Sequence, residues 1–274
     1  MKQGFVKVAS ATPRIRVADP VYNAQVICEQ AKEAAEHGAK IVVFPELCIT
    51  GYTCNDLFLQ ELLLEKAKEA LLTIAEETGQ LETLFLVGLP VDKDGRLYNV
   101  AAVLYRGRIL GMIPKKNIPM YAEFYEGRHF TPGEETVTEY RLGKQVIPFG
   151  SNLLFRCEEL PELILGCELC EDLWVAEPPS TSHALMGATV IANLSASNET
   201  VSKDDYRTLL IKASSARLLC GYIYTSAGEG ESTQDLVFGG HDLIAENGTL
   251  LVQSARFTTG ILYTDLDVLK ISSE

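Results

Sequence analysis

Short apolar segments alternate with amphipathic segments along almost the whole chain, and this alternation limits the possible folds more than any other feature. Residues 41–44 (Ile-Val-Val-Phe) form a continuous apolar run, which is typical of a strand covered on both faces. Residues 25–37 and 59–79 instead carry apolar side chains at helical spacing, and each segment ends at a glycine. Strands that alternate with helices in this way predict an α/β protein whose sheets are covered by helices.

The same criteria predict strands and helices over most of the remaining chain. Strands are predicted at residues 5–9, 84–89, 100–105, 108–113, 152–155, 163–167, 189–194, 222–225, 242–245 and 260–264, and helices at 182–187 and 204–220. Arg106-Gly107 and Asn247-Gly248 each fit a hairpin turn between two strands. No linker rich in Pro, Gly or Ser divides the chain, so we expect one domain over residues 1–274. An α/β sandwich fits this order of elements, although the pattern alone also permits a doubly wound sheet or an incomplete barrel.

The composition indicates a folded protein and excludes nucleic-acid binding. With 274 residues, 47% of them hydrophobic, the chain can bury a full core, which excludes a disordered or coiled-coil chain. Its 24 Lys and Arg against 37 Asp and Glu give a net charge of −13, and the longest basic cluster is Lys115-Lys116. Because a nucleic-acid binder normally needs a concentrated basic face, we expect no nucleic-acid partner.

The targeting signals and the cysteine content indicate a cytoplasmic protein. No apolar run reaches the ~18 residues that a membrane helix needs, so we expect no membrane partner. Met1-Lys2-Gln3 leads straight into a predicted strand rather than a signal peptide. The seven cysteines are an odd number in a chain that has its own core, so we expect mostly reduced thiols, of which one or more could be reactive.

Three short segments place chemically active residues next to predicted strands. Glu46 directly follows the apolar run at residues 41–44, at the strand end where α/β proteins place functional groups, although it could also be an ordinary loop acid. Residues 113–130 interleave charged and aromatic side chains, which suits either the rim of a pocket or an exposed loop with partly buried tyrosines. Residues 165–174 place Cys167 and Cys170 among acids after another predicted strand.

The two cysteines permit three interpretations. Nearby carboxylates raise the pKa of a thiol, so a nucleophilic cysteine here requires a compensating cation or base, such as Lys115 or Lys116. The Cys-x-x-Cys spacing also fits a redox pair, but the acids that follow Cys170 oppose the lowered pKa that such pairs use. A structural zinc site needs four ligands, and the sequence has no second Cys-x-x-Cys motif or close His pair.

Taken together, the three segments resemble the nitrilase, or carbon–nitrogen hydrolase, superfamily. The resemblance rests on Phe-Pro-Glu-x-x-x-x-Gly-Tyr at residues 44–52, on a Lys before a Pro-x-Tyr segment, and on Gly-x-x-x-Cys-Glu-Asp at residues 166–172. Residues 46–58, 118–126, 170–180 and 193–197 resemble, more specifically, the glutaminase domains of glutamine-dependent NAD synthetases. This resemblance covers nearly the whole chain and implies a single-domain αββα sandwich.

The resemblance implies a role for each catalytic candidate. Cys170 would be the nucleophile, Glu46 the general base, and Lys115 the cation that steadies the oxyanion. The register Lys-x-x-(Ile/Leu)-Pro favours Lys115 over the competing Lys116. Glu123, eight residues after Lys115, would be the second acid, which orients the lysine. Through these groups, glutamine would be hydrolysed by way of a cysteine thioester, with release of glutamate and ammonia.

The resemblance also implies a substrate pocket for glutamine. Five residues match positions that line this pocket in the family: Tyr121, Phe124, Glu171, Ser197 and Lys203. An acid suits the α-amino group of glutamine and a cation suits its α-carboxylate, so Glu171 and Lys203 form a plausible recognition pair. Relatives often carry Arg at the position of Lys203, and Arg and Lys bind carboxylates differently. Each of the five also has a purely structural alternative as a core or surface residue.

The resemblance implies a partner as well as a substrate. The ammonia would serve the ATP-dependent amidation of deamido-NAD, but no pyrophosphatase loop or ATP-binding domain occurs between Met1 and Glu274. An NAD synthetase domain is therefore expected in cis or in trans, and ATP and deamido-NAD would bind there. This domain itself is expected to need no cofactor or metal and to assemble as a homo-oligomer. The rival hypotheses are a stand-alone amidase for another small amide or carbamoyl compound, and an inactive interaction module.

Overall fold

Two β-sheets pack face to face, and each is covered on its outer face by helices. The computed structural model describes residues 3–274, so the predicted absence of a signal peptide at Met1 and Lys2 concerns residues outside the described part. The strands are β1 (Phe5–Thr12), β2 (Ile41–Val43), β3 (Leu84–Lys93), β4 (Arg96–Tyr105), β5 (Arg108–Pro114), β6 (Thr138–Leu142), β7 (Gln145–Phe149), β8 (Phe155–Arg156), β9 (Ile164–Leu169), β10 (Val190–Ser195), β11 (Gly221–Ser226), β12 (Leu243–Glu246), β13 (Thr249–Gln253) and β14 (Gly260–Asp267). The α-helices are α1 (Pro20–Glu36), α2 (Glu61–Glu77), α3 (Pro179–Leu185), α4 (Lys203–Leu218) and α5 (Val268–Ser273), and short 3-10 helices span Tyr52–Leu59, Glu126–Arg128 and Cys170–Leu173.

The strand order explains how distant segments meet at one edge of the sandwich. The first sheet has the order β14-β1-β2-β3-β4-β5-β7-β6, and the second has the order β13-β12-β11-β10-β9-β8. β1, β2 and β3 are parallel, and two antiparallel pairings, β3 with β4 and β4 with β5, turn β5 back into the direction of β3. In the second sheet β9, β10 and β11 are also parallel. The residues that follow β2, β5, β9 and β10 can therefore share one end of the fold.

The apolar side chains of the strands form three layers of core. Between the sheets, residues such as Val8 and Val43 pack against residues such as Leu165 and Ala192, and all four are fully or almost fully buried. The opposite faces of the first sheet pack on α1 and α2, and those of the second sheet pack on α3 and α4. Burial on both faces is why these strands read as continuous apolar runs in the sequence.

Most of the predicted elements are confirmed, with ends that differ by a few residues. The turns at Arg106-Gly107 and Asn247-Gly248 join β4 to β5 and β12 to β13 as predicted. The predicted strand at residues 152–155 is wrong, since only Phe155 and Arg156 pair with β9 and the preceding residues form a loop. The β6–β7 hairpin and α5 were not predicted, because their short segments carry too few apolar positions to show a period.

Gly88 on β3 allows the segment after β2 to pass close to the neighbouring strand. A Cβ atom at this position would lie 2.6 Å from the carbonyl oxygen of Pro45 and 2.8 Å from the carbonyl carbon of Glu46. These are backbone atoms, which cannot rotate away. The glycine therefore sets the position of Glu46 through close backbone approach.

We expect Gly88→Ala to lower the free energy of unfolding by about 3 kcal/mol or more, because the added methyl group collides with backbone on the adjacent segment. Urea unfolding followed by circular dichroism measures this loss. Gly79→Ala is the matched control, since its Cβ would lie no closer than 3.0 Å to its listed neighbours at the end of α2. Equal, small losses in both variants would contradict the proposed packing constraint.

Candidate active site

Three residues that the sequence analysis selected come together after the ends of their strands. Glu46 follows β2, Lys115 follows β5, and Cys170 follows β9, and the side chains of all three are buried. The Nζ atom of Lys115 donates a hydrogen bond to Oε1 of Glu46 at 2.7 Å. The backbone N–H of Glu46 donates to the carbonyl oxygen of Ser195, at the end of β10, at 3.3 Å. The site therefore joins the two sheets at one edge of the sandwich.

Cys170 lies at a sharp turn between β9 and the 3-10 helix Cys170–Leu173. Its φ of +41° lies in the left-handed region, which costs a non-glycine residue free energy and persists only where neighbouring contacts enforce it. Asp172 supplies such contacts, since its carboxylate accepts the backbone N–H groups of Leu169 at 3.0 Å and of Asn117 at 2.8 Å. The turn that carries the thiol is thereby tied to the loop that follows Lys115.

The electrostatic environment keeps the Cys170 thiol protonated until a base acts on it. Burial raises the pKa of Cys170 strongly, and the nearby charge of Glu46 raises it further, while Lys115 opposes both effects. This direction agrees with the sequence-based expectation that nearby acids would disfavour a free thiolate. A nucleophilic role for this cysteine requires proton removal during attack, and Glu46 is a carboxylate within the same buried cluster.

Lys115 remains charged although it is fully buried. Burial alone would lower the pKa of Lys115, but the charges of Glu126 and Glu46 outweigh it and raise that pKa well above its usual value. The Nζ atom lies 2.6 Å from Oε1 of Glu126 as well as 2.7 Å from Glu46. An ammonium group has three N–H donors, so one donor is left for an oxygen that develops negative charge.

The acid that holds Lys115 is Glu126, and the prediction of Glu123 for this role is therefore corrected. Glu126 is buried, and it also accepts a hydrogen bond from the hydroxyl of Tyr52 at 2.9 Å. Glu123 instead accepts a hydrogen bond from the side-chain amide of Asn198, on the substrate side of the loop. Because three residues separate the two acids in a loop without regular structure, spacing from Lys115 could not distinguish them. Burial raises the pKa of Glu126 to about 7.

The choice of Lys115 over Lys116 agrees with the structure. Lys116 points away from the cluster and forms an ion pair with the exposed Glu135. Its backbone N–H contributes only a weak contact to Asp172, at 3.4 Å. Adjacent residues at the end of an extended strand point to opposite sides, so only one lysine of the pair can enter the site.

The predicted pocket residues lie around the same edge of the fold. The hydroxyl of Tyr121 donates to both carboxylate oxygens of Glu171, at 3.1 and 3.0 Å. The ring of Tyr121 meets the ring of Phe124 edge to face, with 5.7 Å between their centroids. The Nζ atom of Lys203 lies 5.5 Å from the centre of the Phe124 ring and 5.3 Å from that of Trp174. Burial lowers the pKa of Lys203 and raises that of Glu171.

Ser197, the fifth predicted pocket residue, lies in a segment held by a buried arginine that the sequence analysis missed. Arg207 on α4 is fully buried and donates to Oγ of Ser197 at 3.2 Å and to the carbonyl oxygen of Asn198 at 3.1 Å. It also forms an ion pair with Glu199 at 2.9 Å. Lys203 donates to the side-chain oxygen of Asn198. An arginine on a predicted amphipathic helix reads as a surface residue, so the sequence carries no signal for this role.

The alternative interpretations of the cysteines receive no support from the geometry. Cys167 lies in the apolar core between the sheets, where burial raises its pKa well above the ordinary value, whereas redox pairs use a lowered pKa. All seven cysteines are free thiols. Among residues 3–274, no three His, Cys, Asp or Glu side chains are grouped closely enough to hold a metal ion.

The chain belongs to the carbon-nitrogen hydrolase family, which it matches over residues 7–273. It is similar to the glutamine-dependent NAD(+) synthetase of Mycobacterium tuberculosis, with 43% identity over 267 residues, which make up 97% of this chain and 39% of that protein. The crystal structure of a glutamine-dependent NAD(+) synthetase from Cytophaga hutchinsonii superimposes with a TM-score of 0.87 and 28% identity, covering 96% of this chain and 43% of the other. The predicted class of enzyme, a hydrolase of the nitrilase type, and the predicted sandwich fold are thereby confirmed.

Two further findings define what these similarities cover. The chain spans about two fifths of the length of the NAD(+) synthetases that it matches. An amidase from Nesterenkonia sp. AN1 shares the fold, with a TM-score of 0.78 and 20% identity over 98% of this chain and 95% of its own, and in that protein an acetamide moiety is attached to the active-site cysteine. Within residues 3–274, every helix is too short or too polar to cross a membrane.

We expect kcat/KM to fall as the pH drops through about 7, because protonation of Glu126 removes one of the two negative charges that hold Lys115. Glu126→Gln should lower kcat by about 10–10²-fold at pH 8 and should lack this acid limb, so that the wild-type rate at low pH approaches that of the variant. Steady-state amide hydrolysis between pH 5.5 and 9 measures both effects.

Glu123→Gln is the matched control, since it removes an equal charge three residues away without a contact to Lys115. Its kcat should stay within about threefold of the wild type and its pH profile should keep the acid limb. A larger loss in Glu123→Gln than in Glu126→Gln would restore the assignment made from spacing.

Proposed function

We propose that this chain hydrolyses the side-chain amide of glutamine and supplies the ammonia to an NAD synthetase. One observation carries the proposal: the buried cluster of Cys170, Glu46 and Lys115 opens beside a pocket whose walls carry an acid, Glu171, and a cation, Lys203. The cluster suits acyl transfer from an amide, and the acid–cation pair suits the α-amino and α-carboxylate groups of an amino acid. The similarity to glutamine-dependent NAD(+) synthetases supports the same substrate.

The reaction begins with attack of the Cys170 sulfur on the amide carbon of the substrate. Glu46 takes the thiol proton as the carbon–sulfur bond forms, and the free N–H donor of Lys115 stabilises the negative charge that develops on the amide oxygen. Glu46 then returns the proton to the leaving nitrogen, so that ammonia departs and a thioester remains on the enzyme. Water, deprotonated by Glu46, attacks the thioester and releases glutamate with the thiol restored.

Recognition of glutamine would depend on side chains that extend from two segments. Glu171 lies next to the nucleophile and would bind the α-amino group, while Tyr121 orients its carboxylate. Lys203 would bind the α-carboxylate as a compact charge, without the bidentate geometry that an arginine offers. Phe124 and Ser197 would form the wall between these two charged groups.

The remaining calls extend this proposal to the partner. ATP and deamido-NAD would bind a synthetase domain, in cis or in trans, and hydrolysis in this domain would need neither a cofactor nor a metal. Assembly as a homo-oligomer and location in the cytoplasm remain predictions from the sequence. The similarity to longer proteins, of which this chain matches about two fifths, supports a partner domain in cis.

We expect a chloroketone or diazo-ketone analogue of glutamine to add one equivalent to this chain, at Cys170, because only that thiol lies beside both a base and a cation. Intact mass and peptide mapping locate the adduct. Cys170→Ala should abolish both labelling and the release of glutamate, whereas Cys167→Ala, three residues earlier in the apolar core, should retain both. Labelling without glutamate release, with faster hydrolysis of a different amide, would favour the stand-alone amidase, and absence of any adduct would favour an inactive module.

We expect glutamine hydrolysis by the 274-residue chain alone to be slow, since an ammonia-supplying domain that ran freely would waste glutamine. The rate should rise when the ATP-dependent synthetase portion of a relative is joined to it or added, in the presence of ATP and deamido-NAD. Glutamate release with and without that portion measures the effect. Equal rates near 10 s⁻¹, a typical kcat for an independent enzyme, would reject the partner and favour the stand-alone amidase.

A further inference from the structure

Asn99 lies in the catalytic cluster but has no role in the mechanism derived above. It belongs to β4, and its side chain is fully buried. Its carbonyl oxygen accepts the backbone N–H of Lys115 at 2.8 Å, which places that lysine at the end of β5. Its side-chain Nδ2 donates to Oε1 of Glu46 at 2.7 Å and lies 3.4 Å from Oε2 of Glu126. One amide group thus contacts both carboxylates that share the lysine.

The chemistry of these neighbours fixes the orientation of the amide. An ionised carboxylate can only accept hydrogen bonds, so the amide must present its N–H groups to Glu46 and Glu126. In the opposite orientation Oδ1 would face two carboxylate oxygens, at a cost in a site from which water is excluded. Asn99 is therefore a donor to the catalytic carboxylates rather than a space-filling residue.

The two oxygens of Glu46 differ in their surroundings as a result. Oε1 accepts one hydrogen bond from Asn99 and one from Lys115, at 2.7 Å each. Oε2 is buried and has no hydrogen-bond partner within residues 3–274. A buried acceptor without a partner is costly to leave unpaired, and at a reactive site it is the atom that is available to take a proton.

We propose that Asn99 is a positioning residue, which with Lys115 holds Oε1 of Glu46 so that Oε2 is the atom that accepts the proton of Cys170. In this step the S–H bond breaks, its proton forms a bond to Oε2, and the sulfur electron pair attacks the amide carbon. The inference rests on the proposed cysteine chemistry but not on glutamine as the substrate. Nothing in the substrate pocket contributes to it.

The test compares two substitutions that remove the N–H donors in different ways. Asn99→Leu should lower kcat about 10–10²-fold with KM within about threefold, because a misaligned base slows proton transfer without changing substrate contacts. It should also move the acid limb of kcat/KM to higher pH, since a lost N–H donor no longer favours ionised carboxylates. Asn99→Asp keeps the shape but adds a third acid, so its loss should exceed that of Asn99→Leu.

A second measurement does not depend on the substrate or on turnover. The rate at which iodoacetamide alkylates Cys170, followed by peptide mass mapping, should fall in both variants by a factor similar to the loss in kcat. Asn23→Leu is the control, since Asn23 is an equally buried asparagine whose amide contacts only backbone atoms and the fold rather than the acids. It should lower the melting temperature while leaving the pH profile and the alkylation rate unchanged.

Two results would overturn the proposal. One is an Asn99→Asp variant with the wild-type kcat and pH profile, because the residue would then serve only by its shape. The other is a loss of Cys170 alkylation in Asn23→Leu as large as in Asn99→Leu, because any destabilised core would then produce the effect. If glutamine proves not to be hydrolysed while alkylation still depends on Asn99, the proposed substrate fails and the role of Asn99 stands.

Discussion

The ion cluster at Lys115 is the interaction on which the rest of the site depends. A lone ammonium group in a protein interior costs several kcal/mol, and only close opposite charges with good hydrogen bonds offset that cost. Glu46 and Glu126 supply them from two segments that are 80 residues apart in the sequence, at 2.7 and 2.6 Å. The lysine can therefore be buried only if the segment after β2 and the loop after β5 are both in place. The same contacts that keep the charge in the core also assemble the catalytic edge.

The state of the nucleophile follows from the same burial. Enzymes that store a thiolate place it at a helix N-terminus or beside a cation with no competing acid. Here Cys170 lies among carboxylates, and burial dominates the rise in its pKa, so the resting form is the neutral thiol. Attack and proton transfer must then occur together, which requires a fixed geometry between sulfur and base. The left-handed backbone at Cys170, held by Asp172, and the amide of Asn99 at Glu46 both serve that geometry.

The sequence revealed the residues whose position follows from a strand and missed those whose position follows from a tertiary contact. Glu46 follows a strong apolar run, and the family motifs selected Lys115 and Cys170. Glu126 could not be separated from Glu123, because residues 115–130 have no period that would fix which acid turns inward. Asn99 and Arg207 carry no signal at all, since a polar residue in a strand or helix pattern is read as exposed until its partners are known. The fold class was more accessible than the site because it depends on many periodic residues rather than on single contacts.

The loop after β5 links substrate binding to catalytic alignment. Tyr121 and Phe124 face the pocket and Glu126 faces Lys115, so one short segment contributes to both. Its far end is tied to the 3-10 helix Tyr52–Leu59, where the guanidinium of Arg128 forms two hydrogen bonds with the carboxylate of Asp56. A substrate or partner that displaced this loop would shift the aromatic wall of the pocket and the acid at the lysine in the same movement. Control of hydrolysis by a partner therefore requires no separate device, because contact with this one loop is enough to align or misalign the cluster.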